Sequence, residues 1–314
     1  MAVPWAIDTL SLGSAFNSVF IFLTDSGYTS IYNKFYIGIA SMSSFEPTEQ
    51  GSANRAHNVF TIFIAGGAVG ALGGLIGLGG AEFRLPLLIG LFGFAAISAV
   101  MLNKTISLVV VASALIFRAK AVPVDLLLSN WHIAVNVLSG SLIGAWFGAS
   151  WAVKMKSRTL YQTLAAMLVL IAVVLFFGHQ TETSEPLFTG PKLIIAGVIA
   201  GFGIGVVAAI MGVAGGELLI PMLILLFGVD IKLAGSLSLA ISLPTMLVAF
   251  FRFSKDAAFR VIRENKAFVG YMALGSMVGT SIGGHLVGVV SVSVLLPLLA
   301  AILLVSSVKV WKHK

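Results

Sequence analysis

Gly77-Leu-Gly-Gly-Ala-Glu82-Phe-Arg-Leu-Pro86-Leu-Leu-Ile-Gly-Leu-Phe-Gly93 recurs without a gap as Gly212-Val-Ala-Gly-Gly-Glu217-Leu-Leu-Ile-Pro221-Met-Leu-Ile-Leu-Leu-Phe-Gly228. Glu217 follows Glu82 by 135 positions, and the same offset carries Ile106-Ser-Leu108 onto Ile241-Ser-Leu243. It also carries Gly140-Ser141, Gly144 and Gly148 onto Gly275-Ser276, Gly279 and Gly283. Chance matching among leucines and glycines does not hold register over four elements, so the chain is an internal duplication. Each copy runs in the same order: glycines where the backbone turns or is approached closely, an acidic residue, a proline, and an apolar run.

Around these stretches the chain is greasy. Of 314 residues 58 % are hydrophobic and 10 % charged, against about 25 % charged in a soluble domain, and the mean hydropathy is +1.04. A soluble enzyme is excluded. Apolar runs near the bilayer-spanning length of about 20 residues recur. In the first series they cover Val59 to Leu78, a short Leu85 to Gly93, Ser98 to Phe117, Ile133 to Val153 and Thr159 to Gly178. The second covers Leu193 to Val213, a short Leu218 to Gly228, Leu233 to Phe251, Ala267 to Val290 and Val292 to Val308.

The expected fold is therefore an all-α integral membrane protein of two inverted repeats, each a broken or re-entrant helix pair plus three transmembrane helices. Residues 58–178 make the first repeat, 179–192 an external polar loop, and 193–314 the second repeat. Residues 1–57 form an N-terminal extension whose longest apolar run, Ala15 to Thr24, is too short to span. There Tyr28, Ile31, Tyr32, Phe35 and Ile39 share one helical face, which suits an interfacial helix; a packed lid or a loose tail is the alternative. No basic stretch precedes the first apolar residues, so a cleaved secretory signal is not expected.

If each broken pair has both ends on one side, the three following crossings invert the second half. One side then collects Lys34, Arg55, Lys154, Lys156, Arg158, Arg252, Lys255, Arg260, Arg263, Lys266, Lys309, Lys312 and Lys314, and the other Arg118, Lys120, Lys192 and Lys232. The positive-inside rule places the first group in the cytoplasm. The net charge of +7 is thus read as orientation rather than as affinity for nucleic acid. No cysteine is present, so thiolate metal sites and disulfides are excluded. No serine elbow, paired aspartates or His-Glu-x-x-His helix supplies a catalytic set, and no metal or cofactor is expected.

Broken helices meeting near the bilayer midplane are the usual substrate sites of secondary transporters. Gly77, Gly79 and Gly80, with Gly212, Gly215 and Gly216, mark where the backbone unwinds. Pro86 and Pro221 lie a turn into each short helix. The free N–H groups and positive dipole ends of two such helices, aimed at one spot, make an anion site; the alternative for the glycines is close helix packing alone. For Gly140, Gly144, Gly148, Gly275, Gly279 and Gly283, packing is the preferred reading because four-residue spacing makes a smooth face.

Glu82 and Glu217 are carboxylates inside apolar stretches, where a charge costs about 2.5–3.5 kcal/mol on insertion scales. Two roles remain open for them: proton coupling, or capping of a helix N-terminus. Arg84 and Lys104, whose counterparts in the second copy are Leu219 and Leu239, are candidates to grip an anion, with pairing to Glu82 or snorkelling as the alternatives. Asn103, Ser236 and Ser238 could add neutral hydrogen bonds, although bonding between helices is the commoner fate of such residues.

These features resemble the TauE/SafE sulfite exporter family, also known as toluene sulfonate uptake permeases. The resemblance rests on the two Gly-rich breaks followed by Pro86 and Pro221, and on the stretches Ala99 to Leu108 and Ala234 to Leu243 that come next. It covers about residues 59 to 312. The chain departs from the family pattern at Ala81 and Ala214, which interrupt the glycine run, and in the added charge of Glu82 and Arg84. The resemblance implies a secondary transporter, more often an exporter, of sulfite, sulfonates or other small sulfur-containing organic anions, set in a bacterial cytoplasmic membrane. Its partners are then a small anion and the lipid bilayer, with the oligomeric state left open. A passive anion channel is the alternative function.

Overall fold

Every regular element among the described residues is a helix, as lipid requires of a backbone that must satisfy its own N–H and C=O groups. The computed structural model describes residues 58–76, 80–118, 124–177, 186–285 and 292–312. The first half contains α1 (Val59–Ile76), the short α2 (Ala81–Gly90), α3 (Ala96–Arg118), the one-turn α4 (Val124–Ser129), α5 (Trp131–Lys154) and α6 (Ser157–Phe177). The second half repeats the order with α7 (Pro191–Met211), the short α8 (Gly216–Phe227) and α9 (Ile231–Phe253). After a 3₁₀ turn at Ala257–Phe259 come α10 (Arg260–Glu264), α11 (Lys266–His285) and α12 (Val292–Lys312). Among the described residues, five segments are long and apolar enough to cross a bilayer: Ala96–Leu115, Trp131–Lys154, Ser157–Val174, Pro191–Met211 and Leu233–Phe253. The expected interfacial helix in residues 1–57, Gly77, Gly79 and residues 179–185 of the polar loop lie outside the described residues.

The short helices start earlier than hydropathy places them, at Ala81 and Gly216 rather than at Leu85 and Leu218. Glycines in the left-handed region, Gly80 at φ 71° and Gly215 at φ 82°, set these starts. Glu82, Arg84 and Glu217 dilute the hydropathy of a turn that is nonetheless helical. Pro86 and Pro221 consequently stand sixth in their helices. Each removes the N–H that would have met the carbonyl four residues back, that of Glu82 or Glu217.

Two helix crossings dominate the packing, α1 on α11 and α5 on α7. By the 135-residue offset, α7 is the counterpart of α1 and α11 that of α5, so one crossing is made twice with partners exchanged between the halves. The correspondence extends to single residues. Gly144 lies against the carbonyl of Phe202, and Gly279 against that of Gly67; Gly201 meets Val137, and Gly66 meets Met272; Gly205 meets Ser141, and Gly70 meets Ser276. At each of these glycines a Cβ would collide with facing backbone. Small residues therefore form the buried seam, where dispersion between closely approaching backbones replaces the hydrophobic effect that lipid cannot supply. The large side chains face outward: Ile143, Trp146, Phe147 and Trp151 on α5, and Ile194, Ile195 and Ile199 on α7, are all exposed.

Candidate functional site

The site is built from the two breaks. At its C-terminus α7 stops in a Schellman arrangement: the Val213 N–H donates to the Ala208 carbonyl at 3.0 Å and the Gly212 N–H to that of Ala209 at 3.2 Å. Gly212 sits at φ 70°, a conformation only glycine adopts cheaply, and a Cβ there would strike the carbonyl of Val100. Three residues separate Gly212 from the start of α8. In the first half, Gly80 opens α2 with the same left-handed backbone, and a Cβ on it would strike the carbonyl of Val69.

Asn103, on α3, lies between the breaks. Its side-chain amide donates to the carbonyl of Ala81, in the first turn of α2, at 3.0 Å, and to that of Met211, in the last turn of α7, at 3.4 Å. One side chain thus touches both interruptions. Glu82 and Glu217 are each the second residue of a short helix, 1 % and 3 % exposed. Their carboxyl groups are near neighbours, and each lies close to its own backbone N–H. None of their oxygens has a hydrogen-bond partner.

Two buried cations complete the cluster. Arg84 donates through Nη1 to Asn103 Oδ1 at 3.3 Å and Ser107 Oγ at 3.0 Å, and through Nη2 to Ser276 Oγ at 3.3 Å, so α2 is tied to α3 and α11. Lys104 reaches across from α3 to the end of α7, donating to the carbonyls of Ala208 at 3.0 Å and Val213 at 2.7 Å. A cation at a helix C-terminus is favoured by the dipole; the Ala208 carbonyl also accepts the Val213 N–H, and the Val213 carbonyl lies just beyond the helix end. Replacing Lys104 by Met should therefore lower the apparent melting midpoint of detergent-purified protein, with a loss of about 1.5–3 kcal/mol for a charged hydrogen-bond donor. A midpoint unchanged from wild type would show that the second break holds without it.

Of the remaining predicted residues, Ser238 bonds the Gly235 carbonyl of its own helix at 2.9 Å, and Ser236 is buried on the same first turns of α9. Gly215 and Gly216 form the start of α8, and Pro221 stands within it. Ser107 and Ser276, which hold Arg84, belong to this buried cluster and were passed over by sequence reasoning. The signal was present, because the repeat offset pairs Ser107 with Ser242 and Ser276 with Ser141. In the other half Leu219 replaces the arginine, Ser242 Oγ is buried without a partner, and Ser141 bonds Thr245 at 2.8 Å instead. The duplicated serines persist, but only one half retains the cation.

Comparison with curated proteins and with solved structures finds no match. The family model described as Sulfite exporter TauE/SafE matches twice, over residues 9–175 and over residues 62–310. The second match spans both breaks, the buried cluster and nearly all the described helices. The chain belongs to the TauE/SafE sulfite exporter family of membrane transporters.

Proposed function

We propose that this protein is a proton-coupled secondary transporter of small anions, such as sulfite, sulfonates or other sulfur-containing organic anions, and that it exports them from the cytoplasm of a bacterium by alternating access. The observation that carries the reading is the meeting of the two breaks at Asn103, with Glu82 and Glu217 as near neighbours.

Several contacts support an inverted arrangement of the halves. The Ala96 N–H, where the first hairpin leaves for α3, donates to Tyr161 Oη near the start of α6 at 3.2 Å, next to the C-terminal end of α5. Phe92 and Phe94, just past α2, stack edge-on against Phe268 with centroids 4.9 and 5.2 Å away. On the same first turns of α11, Tyr271 and Leu274 share a surface groove with Phe60 and Phe63 of α1. Both ends of the first hairpin thus sit at one level. For the second hairpin, Gly197 near the start of α7 lies against Asn136 near the start of α5, and against Phe227, the last residue of α8. That level is the opposite end of α5, whose 24 residues make a rod about 36 Å long. Ser276, at the middle of α11, and Asn103 and Ser107, in the middle third of α3, support a cluster near half depth.

In this reading the two short helices aim amide donors and dipoles at the anion. Arg84 adds fixed positive charge, Lys104 and the glycines hold the breaks open, and the carboxyl pair carries the proton. Rocking of one half against the other exposes the site to each side in turn. The test is flux in proteoliposomes. Saturable counterflow of sulfite or sulfoacetate, driven by a pH gradient and insensitive to that gradient in the Glu82→Gln/Glu217→Gln protein, is expected. Full proton-driven flux in that double variant would return both residues to helix capping. Flux linear in concentration, with conductance in planar bilayers, would make the protein a passive channel instead.

A further inference from the structure

The protein's own acids stand at the two helix starts where an anion should bind. In α2 the first helical hydrogen bond is donated by Arg84, to the Gly80 carbonyl at 3.2 Å, and in α8 by Leu218, to that of Gly215 at 3.1 Å. The N–H groups ahead of these have no helical acceptor. Beside them are the carboxyls of Glu82 and Glu217, each close to its own backbone N–H, buried and without a hydrogen-bond partner. A carboxylate presents planar oxygens sharing one negative charge to amide donors, which is what a sulfonate or sulfite oxygen pair would present. We propose that Glu82 and Glu217 are tethered rivals of the transported anion: ionised, a carboxylate holds the helix N-terminus, and protonated, it gives up the amides so that the anion takes its place.

The charge count supports exchange rather than addition. Among the described residues the only buried charged side chains are Glu82, Glu217, Arg84 and Lys104. Arg84 on α2 is the charged neighbour of Glu82, and Lys104 on α3 turns its ammonium to carbonyls at the end of α7. The described parts of α7, α8, α9 and α11 bring no other buried charge to balance a third anion. One anion entering beside two carboxylates would leave an uncompensated negative charge in a water-poor site. One proton, taken from water onto a carboxylate oxygen, removes that charge, so anion and proton bind together.

This inference rests on the anion-transport reading above, and binding at equilibrium separates the two. The probe is methanesulfonate, which stays ionised across the working range, titrated calorimetrically into the full-length protein in detergent. In wild type, affinity should rise about tenfold for each unit fall in pH between about pH 8 and pH 6, with about one proton taken up per anion, measured in buffers of different ionisation heats. The Glu82→Gln/Glu217→Gln protein should bind with no pH dependence and, at about pH 8, about 10–100-fold more tightly than wild type, because a neutral carboxamide competes poorly for amide donors. Either single Gln variant should fall between. Wild-type binding without proton uptake, or weaker binding by the double variant, would overturn the rivalry while leaving an anion carrier. Absence of binding by methanesulfonate, sulfite and sulfoacetate to every variant at every pH would overturn both readings.

Discussion

Alanine at Gly144 or Gly279 should cripple the fold, although alanine is the better helix former by about 1 kcal/mol. Gly144 packs on the carbonyl of Phe202, and Gly279 packs on the carbonyl of Gly67 and the N–H of Ala71. The obstruction is backbone, which cannot rotate away as a side chain can, so the crossing helices must separate along their whole seam. Overpacking a well-filled interior costs about 1–3 kcal/mol and more where nothing yields. A comparable loss is expected from either substitution, because they are the same contact in the two halves. Gly203→Ala on α7 and Gly270→Ala on α11 are the controls. Nothing lies within 4 Å of a Cβ built at either position, so both should be neutral or slightly stabilising. Thermal unfolding with size-exclusion profiles of the four variants decides this. Equal shifts in all four would mean that the seams are not what glycine is there for.

Arg84→Met is the second large effect. Methionine fills the volume, but Asn103 Oδ1, Ser107 Oγ and Ser276 Oγ lose the donor that the structure gives them, and Glu82 loses its cationic neighbour. Removing one member of a buried charged set costs about 3–5 kcal/mol, because the other charge is left without compensation. Adding Glu82→Gln should return part of the loss, with a coupling of about 0.5–3 kcal/mol between the two sites. Melting midpoints of the two single variants and the double variant measure the coupling directly. Strict additivity would show that Arg84 serves the serines and Asn103 but not Glu82. The second half offers a natural comparison, since Leu219 occupies the corresponding position and Ser242 Oγ is buried without a partner.

Much of the helical plan was legible because hydropathy and spacing are local. The long runs match α3, α5, α6, α7 and α9, and the four-residue glycine spacing reappears as the buried seams of α5 and α11. Legibility failed at the short helices, where Glu82 and Arg84 lowered hydropathy and displaced the expected start from Ala81 to Leu85. It failed again at Ser107 and Ser276, since a serine on an apolar helix looks the same whether it bonds its own backbone, as Ser238 does, or an arginine from another helix.

From the residues alone came the duplication, the helix lengths and the presence of four ionisable side chains in lipid-compatible stretches, all of which depend on neighbours along the chain. Only the tertiary structure decided what those four touch. Lys104 closes the end of a helix more than 100 positions away, and Arg84 reaches a serine 192 positions on. The two glutamates meet across the repeat. Within lipid, where water supplies no partner, a charge must be answered by whichever protein group the fold brings to it, and that choice is made by packing.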